Sequence, residues 1–566
     1  MSFELSQSTL DRFLARATEI YAAQPCLAFV GEEPITYREF GHRAEKLKED
    51  LSKLALEKGD KVVILGNSSP NWAIAFMSVI TYGAIAVPVM EDFPEADIDH
   101  IIRHSEAKAI FITETLYQGL NLPALDKIQT IFNLDDFSFL LQDSNHQYFW
   151  ARFQIIPARI KKAFKKTSAA PVKQQSIEIK EDDLAEILYT SGTTGHSKGV
   201  MLTHKNLVSN LLAGAEATKV VNENSKVLSV LPMAHSFGST CAFLSTLSCG
   251  ASLYLLGKKP SPKILLNAMQ MVKPTVLVAV PLIFEKIYHK RVLPAFTQNK
   301  MLQVFSKRRF IKKKLFRLIG KKIMKMLGGR LECAVIGGSS LNHEAEMFLR
   351  EGGIPYVCGY GLTECAPLVS GSSPQEGKIG SVGRAVSGVS IRIADPDPLT
   401  GVGEILVKGP NVMKGYYKNE QETGKVFTED GWLITGDRGY LDEDDYLHIK
   451  GRSKNVIVGA SGENIYPEVI EDKLKESSFV EEALVYETDH HLIARIYPDY
   501  TYIQNLETGK QESVIAANIR KILEAVKNEV NSNLSPASRV HQIIEQTEPF
   551  KKTPTQKIKR AEYITN

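Results

Sequence analysis

The apolar run at residues 73–90 constrains the fold of this 566-residue chain more than any other segment. It approaches the length of a membrane-spanning helix, but Gly83 and Pro88 interrupt it. A shorter apolar run at 61–65 precedes it and reads as a buried strand. We therefore expect a buried helix followed by a second buried strand at 84–89, so that the whole stretch forms a βαβ unit.

Strand-like and helix-like patterns alternate through residues 1–285. Such alternation predicts parallel sheets that are covered by helices. Residues 286–330 are expected to be helical, and residues 331–450 to form short strands separated by glycine-rich turns. The further predicted strands are 107–112, 226–231, 251–256, 275–280, 390–394 and 403–408.

The chain is too long for one hydrophobic core and should divide into at least two domains. At Gly451 the pattern of strands and helices restarts with a module of about a hundred residues, a typical size for a small domain. We therefore predict a large domain at 1–450, a hinge at 451–454 and a small domain at 455–566.

Composition argues against several classes of protein. The net charge of +3 is small, which argues against nucleic acid as a partner. The six cysteines include no CxxC pair, as expected of buried thiols in a reducing compartment and not of a disulfide framework or a zinc site. Residues 1–9 lack the basic and apolar regions of a secretory signal, so we expect a cytoplasmic protein.

A run rich in glycine and hydroxyl residues spans 190–199, after the strand-like residues 187–189. Its backbone amides can approach a polyphosphate closely, and Lys198 supplies a fixed positive charge. The spacing differs from that of the common P-loop, and by composition alone the run would be an ordinary loop. The preceding strand, and a helix expected to start within 199–204, favour phosphate binding. The candidate ligands are Thr190, Ser191, Gly192, Thr193, Thr194, Gly195 and Lys198.

This loop resembles the phosphate loop of the adenylate-forming enzymes, which include acyl-CoA synthetases, adenylation domains and firefly luciferase. Ser197 stands where that superfamily usually has proline, which removes a restraint on φ but no phosphate ligand. Further segments resemble the same superfamily in its own order, from about residue 10 to residue 560. They are residues 231–238, 273–287, 337–340, 359–364, 431–437, 451–454 and 549–560.

The resemblance implies an ATP site in which each residue type suits one part of the nucleotide. Thr363 would hold the α-phosphate, and Glu364 would bind Mg²⁺, because a carboxylate suits a hard cation. Asp437 would accept the ribose hydroxyls, with Arg452 beside them. Glycines allow close approach to the adenine ring, and an aromatic ring stacks on it. The implied adenine residues are Gly337, Gly338, Tyr360 and Gly361.

The resemblance also implies residues for catalysis and for domain movement. Lys557 would be the catalytic lysine, and His235 would lie near the adenylate as a positioning residue. Gln556 replaces the glycine that usually precedes this lysine, which bears on loop flexibility but not on the amine. Lys454 would be the hinge about which a lid swings, bringing Gly462 to the channel for the pantetheine arm of CoA.

The implied fold is α/β, with two parallel-type βα sheets and a small β-barrel-like part in a large N-terminal domain, and a small α+β lid domain. Residues 1–450 would be the AMP-binding adenylation domain, and residues 455–566 the mobile lid. The implied reaction uses ATP and Mg²⁺. A carboxylate attacks ATP to give acyl-AMP and pyrophosphate, and the thiol of CoA then displaces AMP.

The expected substrate is a medium- or long-chain fatty acid, because residues 454–468 and 492–499 resemble the bacterial long-chain fatty acyl-CoA synthetases. Two alternatives stay open. One is a ligase that delivers the acyl group to a carrier protein instead of CoA. The other is a non-catalytic relative that binds lipid or nucleotide. A non-catalytic relative is expected to lack at least one of four residues. This chain retains all four: Lys198, Glu364, Asp437 and Lys557.

A basic segment stands apart from these motifs. No acidic residue occurs between Glu285 and Glu332, and residues 307–325 combine many lysines and arginines with apolar residues at helical spacing. A shorter copy of the pattern lies at 156–166. The pattern fits a helix on an anionic membrane surface, with the protein peripheral on the inner face of the membrane. It fits equally a helix that packs on the core and exposes its basic face to solvent or to the phosphates of CoA.

Overall fold

The computed structural model describes residues 5–54, 56–142, 148–151, 177–190, 197–297, 308–459, 464–489, 491–506, 512–553 and 557–564. Two large sheets organise the first part of the chain. The seven-stranded sheet is parallel except at one edge, where the last strand pairs antiparallel. In spatial order its strands are Tyr356–Cys358, Cys333–Ile336, Val276–Ala279, Lys226–Ser229, Ser252–Leu255, Pro25–Phe29 and Ile35–Thr36.

The nine-stranded sheet is parallel at its centre and antiparallel at both edges. Its central strands are buried, as expected of parallel strands that helices cover on both faces. In spatial order the strands are Gly415–Tyr416, Lys198–Thr203, Leu184–Thr190, Ile85–Val89, Lys61–Leu65, Ala109–Ile112, Thr130–Asn133, Phe139–Gln142 and Tyr148–Ala151.

The predicted βαβ unit is present in this sheet. Its helix, Pro70–Tyr82, begins after Ser69, whose side chain caps the first turn, and ends at Gly83 with a left-handed φ of +94°. Every side chain from Trp72 to the end of the helix is buried, which explains why the run is apolar all round. In the described part of the chain, no helix has both the length and the apolar character that crossing a bilayer requires.

Helices alternate with the strands of both large sheets and also occur in the C-terminal part of the chain. Two further turns, Phe237–Leu244 and Tyr288–Val292, are wider than an α-helix. The α-helices are Leu10–Ile20, Tyr37–Leu51, Pro70–Tyr82, Glu95–Ser105, Glu114–Gly119, His204–Thr218, Ser245–Ser248, Pro262–Val272, Pro281–Ile287, Leu293–Thr297, Arg309–Met326, His343–Gly352, Glu420–Lys425, Pro467–Leu474, Tyr500–Leu506 and Glu512–Ser532.

The part expected to resemble a barrel consists of two open antiparallel sheets. The three-stranded sheet contains Tyr360–Gly361, Leu368–Gly371 and Arg384–Ala385. The four-stranded sheet contains Ser390–Ala394, Gly403–Lys408, Leu433–Leu441 and Leu447–Arg452. The α/β class with two βα sheets is confirmed.

The C-terminal part contains a two-stranded sheet and a three-stranded sheet. Its helices and strands enclose hydrophobic clusters of their own, formed by residues from Ile465 onward. The division of the chain at 451–454 stays a prediction. The strands are Ile457–Val458, Asn464–Ile465, Val480–Thr488, His491–Pro498 and Gln542–Glu545.

One local prediction was wrong. Residues 199–204 were expected to begin a helix, but Lys198–Thr203 is a strand that pairs antiparallel with Leu184–Thr190. The helix begins only at His204, because the side chains of Thr203 and Asn206 cap each other's backbone N–H groups there. The glycine-rich run therefore connects two antiparallel strands.

Candidate functional site

A cavity of about 340 Å³ lies where the edge of the nine-stranded sheet meets the four-stranded sheet and the residues that follow it. Residues from distant parts of the sequence line it. Four of them are residues that sequence analysis singled out, namely Lys198, Glu364, Arg452 and Lys454.

Asp437 is buried beside this cavity and is the centre of a hydrogen-bonded group. It faces Arg452 across neighbouring strands, and the Nε of Arg452 lies 2.8 Å from its Oδ1. The hydroxyl of Tyr360 donates to its Oδ2 at 2.6 Å. Burial, and then the carboxylate of Asp437, raises the pKa of Tyr360 well above its usual value. Each carboxylate oxygen retains acceptor capacity, so a diol can still bind to Asp437.

Glu364 lies in the turn Thr363–Cys365 and accepts a hydrogen bond from the Tyr416 hydroxyl at 2.9 Å. Tyr416 belongs to the strand at the edge of the nine-stranded sheet. Burial, followed by the nearby Glu364 carboxylate, raises the pKa of Tyr416. Tyr416 therefore stays protonated, and it orients the carboxylate toward the cavity that both residues line.

Lys198 stands at the start of its strand, immediately after the run of candidate phosphate ligands. Its ammonium forms an ion pair with Glu422 and lies 5.0 Å from the centre of the Tyr416 ring. Hydrogen bonds from Lys198 and Lys425 lower the pKa of Glu422 to about 2. Glu422 is thus paired with the Lys198 ammonium, which is expected to bind phosphate.

Lys557 comes to this site from the C-terminal part of the chain. Lys557 is exposed as a residue, but its amine has lost part of its contact with solvent. This loss of solvent, followed by repulsion from Arg452, lowers the pKa of Lys557, while attraction by Asp437 and Glu364 opposes the shift. Arg452 and Glu364 of the cavity wall, together with Asp437 beside it, therefore act on the predicted catalytic amine.

His235 lies within the electrostatic range of the same amine. Burial, and then the charge of Lys557, lowers the pKa of His235 to about 4. Its Nδ1 accepts a hydrogen bond from the backbone N–H of Phe237 at 3.2 Å. The ring is therefore neutral at physiological pH and carries its proton on Nε2, which suits a hydrogen-bond donor better than a base.

The predicted adenine turn has the backbone that its glycines require. Gly338 has a φ of +96°, in the left-handed region. A Cβ on Gly337 would lie 3.1 Å from the ring of Phe237. A Cβ on Gly361 would lie 2.2 Å from the carbonyl oxygen of Pro367. A side chain at Gly361 would therefore displace the backbone at Pro367, whereas one at Gly337 would require only the ring of Phe237 to shift.

Lys454 occupies a short turn directly after Arg452. Burial, and then repulsion from Arg452 and Lys198, lowers the pKa of Lys454. Its role as a hinge stays a prediction. The site residues Ser191, Gly192, Thr193, Thr194, Gly195 and Gly462 lie outside the described residues, whereas Thr190 is described and pairs with Lys198 across the two strands.

Three residues of the site were missed by sequence analysis: Tyr416, Glu422 and Glu404. Glu404 accepts hydrogen bonds from the backbone N–H of Gly436, at 2.9 Å, and from the hydroxyl of Ser453, and so connects the segments that carry Asp437 and Lys454. These acidic and aromatic residues lie in no recognisable motif, so no local signal in the sequence marks them.

Known proteins resemble this chain over most of its length. A family profile described as "AMP-binding enzyme" matches residues 14–417. The long-chain-fatty-acid–CoA ligase FadD15 of Mycobacterium bovis is 32% identical over 465 residues, which cover 77% of this chain and 72% of that protein. Long-chain-fatty-acid–CoA ligase 5 of Mus musculus is 30% identical over an alignment that covers 98% of this chain and 86% of that protein.

Solved structures agree on the fold. The crystal structure of ATP-bound MatB from Rhodopseudomonas palustris superposes with a TM-score of 0.73 at 24% identity, covering 98% of each chain. O-succinylbenzoate coenzyme A synthetase (MenE) from Bacillus subtilis, in complex with AMP, superposes with a TM-score of 0.71 at 20% identity, again over 98% of each chain. Since the family profile spans most of the chain and two relatives are at least 30% identical over most of their own length, this chain belongs to the AMP-binding enzyme family.

Proposed function

We propose that this protein is an AMP-forming acid–thiol ligase that converts a carboxylic acid to acyl-AMP with ATP and transfers the acyl group to CoA. The observation that carries the proposal is the meeting of Asp437, Arg452 and Glu364 with Lys557, an amine from the far end of the chain. Side chains for ribose, a metal ion and a reacting carboxylate thereby share one site.

The nucleoside part of ATP would bind between the glycine turn and the four-stranded sheet. Asp437 would accept the ribose hydroxyls while it keeps its ion pair with Arg452. Tyr360, held by the same carboxylate, presents its ring to the adenine base. Gly337 and Gly338 leave room for the base to lie against the backbone.

The phosphates would lie toward Lys198 and Glu364. Within the described residues no group of three or more His, Cys, Asp or Glu side chains could hold a metal ion. Glu364 nevertheless fits Mg²⁺, which is commonly held by one or two carboxylates together with substrate phosphates. Bound Mg²⁺ would neutralise phosphate charge, and Lys198 would leave Glu422 to meet the departing pyrophosphate.

The first half-reaction brings two anions together, so positioning and charge neutralisation dominate it. The acid attacks the α-phosphorus, a P–O bond forms, and the bond to pyrophosphate breaks. Lys557 would bridge the attacking carboxylate and the α-phosphate, with Thr363 as a further donor. The phosphates add negative charge beside Lys557, which favours its protonated form and offsets the lowered pKa of the free enzyme.

The second half-reaction requires Lys557 to leave, because the CoA thiol must approach the acyl carbon from outside. We propose that the C-terminal part rotates about Lys454 and brings Gly462 toward the pantetheine arm. The thiol then attacks the acyl carbon and AMP departs with its carboxyl-derived oxygen. His235, as a neutral donor, would orient the acyl-adenylate in both steps.

The acid that we propose is a medium- or long-chain fatty acid. The support is that relatives similar over most of this chain are named long-chain-fatty-acid–CoA ligases. Delivery to a carrier protein is the second candidate acceptor reaction. A non-catalytic role is disfavoured because Lys198, Glu364, Asp437 and Lys557 are all retained, and the charges of Asp437 and Glu364 act on Lys557.

ATP–pyrophosphate exchange measured with carboxylates of increasing chain length tests the proposal. We expect exchange that depends on Mg²⁺ and increases from short to medium or long acids. Adding CoA, or a phosphopantetheinylated carrier protein, to the same reactions then identifies the acceptor. Absence of exchange with every acid would refute ligase activity, whereas exchange followed by transfer only to the carrier would establish the second candidate.

A further inference from the structure

The helix Arg309–Met326 carries basic side chains and no acidic one. One face of the helix packs against the core, since Phe316 and Ile323 are 1% and 4% exposed. Between them, a Cβ on Gly320 would lie 2.1 Å from the carbonyl oxygen of Gly352, so the helix packs closely on the neighbouring helix. This inner face satisfies the packing requirement of an amphipathic helix.

The opposite side of the helix, which we name the outward basic face, has a different composition. Phe310 and Leu318 are 80% and 55% exposed, although neither is needed for the packing just described. The cations that share this face at helical spacing are all exposed, and no ion pair to any of them occurs among the described residues. They are Lys314, Arg317, Lys321 and Lys325.

If the helix only exposed a charged face to water, the lysines would be explained, but the 80% exposed Phe310 among them would not. The phosphates of CoA would account for the cations but likewise leave Phe310 and Leu318 without a role. Cations together with exposed aromatic and aliphatic side chains match a surface of anionic headgroups above acyl chains. We propose that the outward basic face docks on an anionic lipid bilayer.

In this arrangement the four cations contact lipid phosphates while Phe310 and Leu318 enter the boundary between headgroups and acyl chains. The helix lies in the plane of the membrane and does not cross it. The inference rests on this surface alone and does not depend on the proposed ligase activity. If both hold, the enzyme works at the surface into which an apolar acid partitions.

Co-sedimentation of the full chain with vesicles of phosphatidylcholine, with and without phosphatidylglycerol, tests the inference. We expect binding only to the anionic vesicles, and weaker binding as salt increases. The charge reversal K314E/R317E/K321E should lower the partition coefficient on the order of 100-fold or more, and F310S/L318S about tenfold. All five residues are exposed, so the fold should tolerate these changes, and unchanged far-UV circular dichroism would verify this.

Matched controls separate this surface from general charge and hydrophobicity. R520E/K521E reverses two exposed cations on another helix, and L399S removes a leucine that is 96% exposed but lies beside Asp397. Both controls should bind vesicles as the unmodified protein does. Equal loss of binding in the controls, or release of the protein from vesicles by excess CoA, would overturn the proposal, as would undiminished binding of the charge-reversed variant.

Discussion

Glu186 is buried within the nine-stranded sheet, on the third strand from one edge and four residues before the start of the candidate phosphate loop. It is 0% exposed, and neither of its carboxylate oxygens has a hydrogen-bond partner among the described residues. Burial raises the pKa of Glu186 from its ordinary 4.5 to about 8. The folded protein therefore holds a proton on Glu186 at neutral pH, whereas the unfolded chain does not.

The sign of the effect follows from proton linkage. Because the folded-state pKa is raised, the contribution of Glu186 to stability is complete below about pH 4.5 and is lost as the pH rises to about 8. Within that window the loss amounts to about 1.4 kcal/mol per pH unit. Between about pH 6 and pH 7.5 the protein should lose about 2 kcal/mol of unfolding free energy through this residue alone.

The substitution Glu186→Gln keeps the size of the side chain and removes the titration. We expect its unfolding free energy, measured by urea denaturation with fluorescence detection, to fall about 2 kcal/mol less than that of the unmodified protein over this pH interval. Glu429→Gln, at an exposed position, should leave the pH dependence unchanged. Identical pH dependence in the Glu186 variant and the unmodified protein would refute the inference that this carboxyl is buried without a partner.

Three further predictions concern the site. Lys557→Ala should slow ATP–pyrophosphate exchange on the order of 10²–10³-fold, but spare thioester formation from supplied acyl-AMP, because the amine acts only on the first transition state. Lys454→Pro should have the converse effect, because a fixed φ hinders the rotation that admits CoA. Glu422→Gln should lower the KM for ATP about two- to fivefold in steady-state kinetics, because Lys198 no longer has to leave an ion pair.

Each of these predictions has a control or a contrary outcome. Lys559→Ala changes an exposed lysine near the catalytic one and should leave both half-reactions intact. Equal loss of both half-reactions in the Lys557 variant would contradict its assigned role. Unimpaired thioester formation by the Lys454 variant would exclude that residue as the hinge. For ATP, an unchanged or increased KM in the Glu422 variant would show that its carboxylate does not compete with phosphate.

Much of the fold could be predicted because burial leaves a periodic pattern. The run at 73–90 resolved into a helix and a strand because proline, glycine and a capping serine mark the ends of the helix. Lys198–Thr203 was misassigned because a short run with buried valine and leucine suits either structure. Its pairing with the strands on both sides decided the outcome.

The site divides in the same way. Asp437, Arg452, Glu364 and Lys557 could be proposed as site residues because each lies in a contiguous motif that resembles a known superfamily. The residues that form hydrogen bonds or ion pairs with such site residues could not be predicted from the sequence. Glu422 lies 224 positions from Lys198, and Tyr416 lies 52 positions from Glu364, so these contacts exist only after the strands have assembled.

By itself, the sequence determined the class of fold, the family and the residue types available for ATP chemistry, because periodicity and short motifs are local properties of the chain. Only the tertiary structure decided which groups share a site. It brought Lys557 among the charges of the cavity, placed Glu422 on Lys198, and turned Phe316 inward while it left Phe310 exposed. Packing between distant segments sets these distances and exposures, and no single segment encodes them.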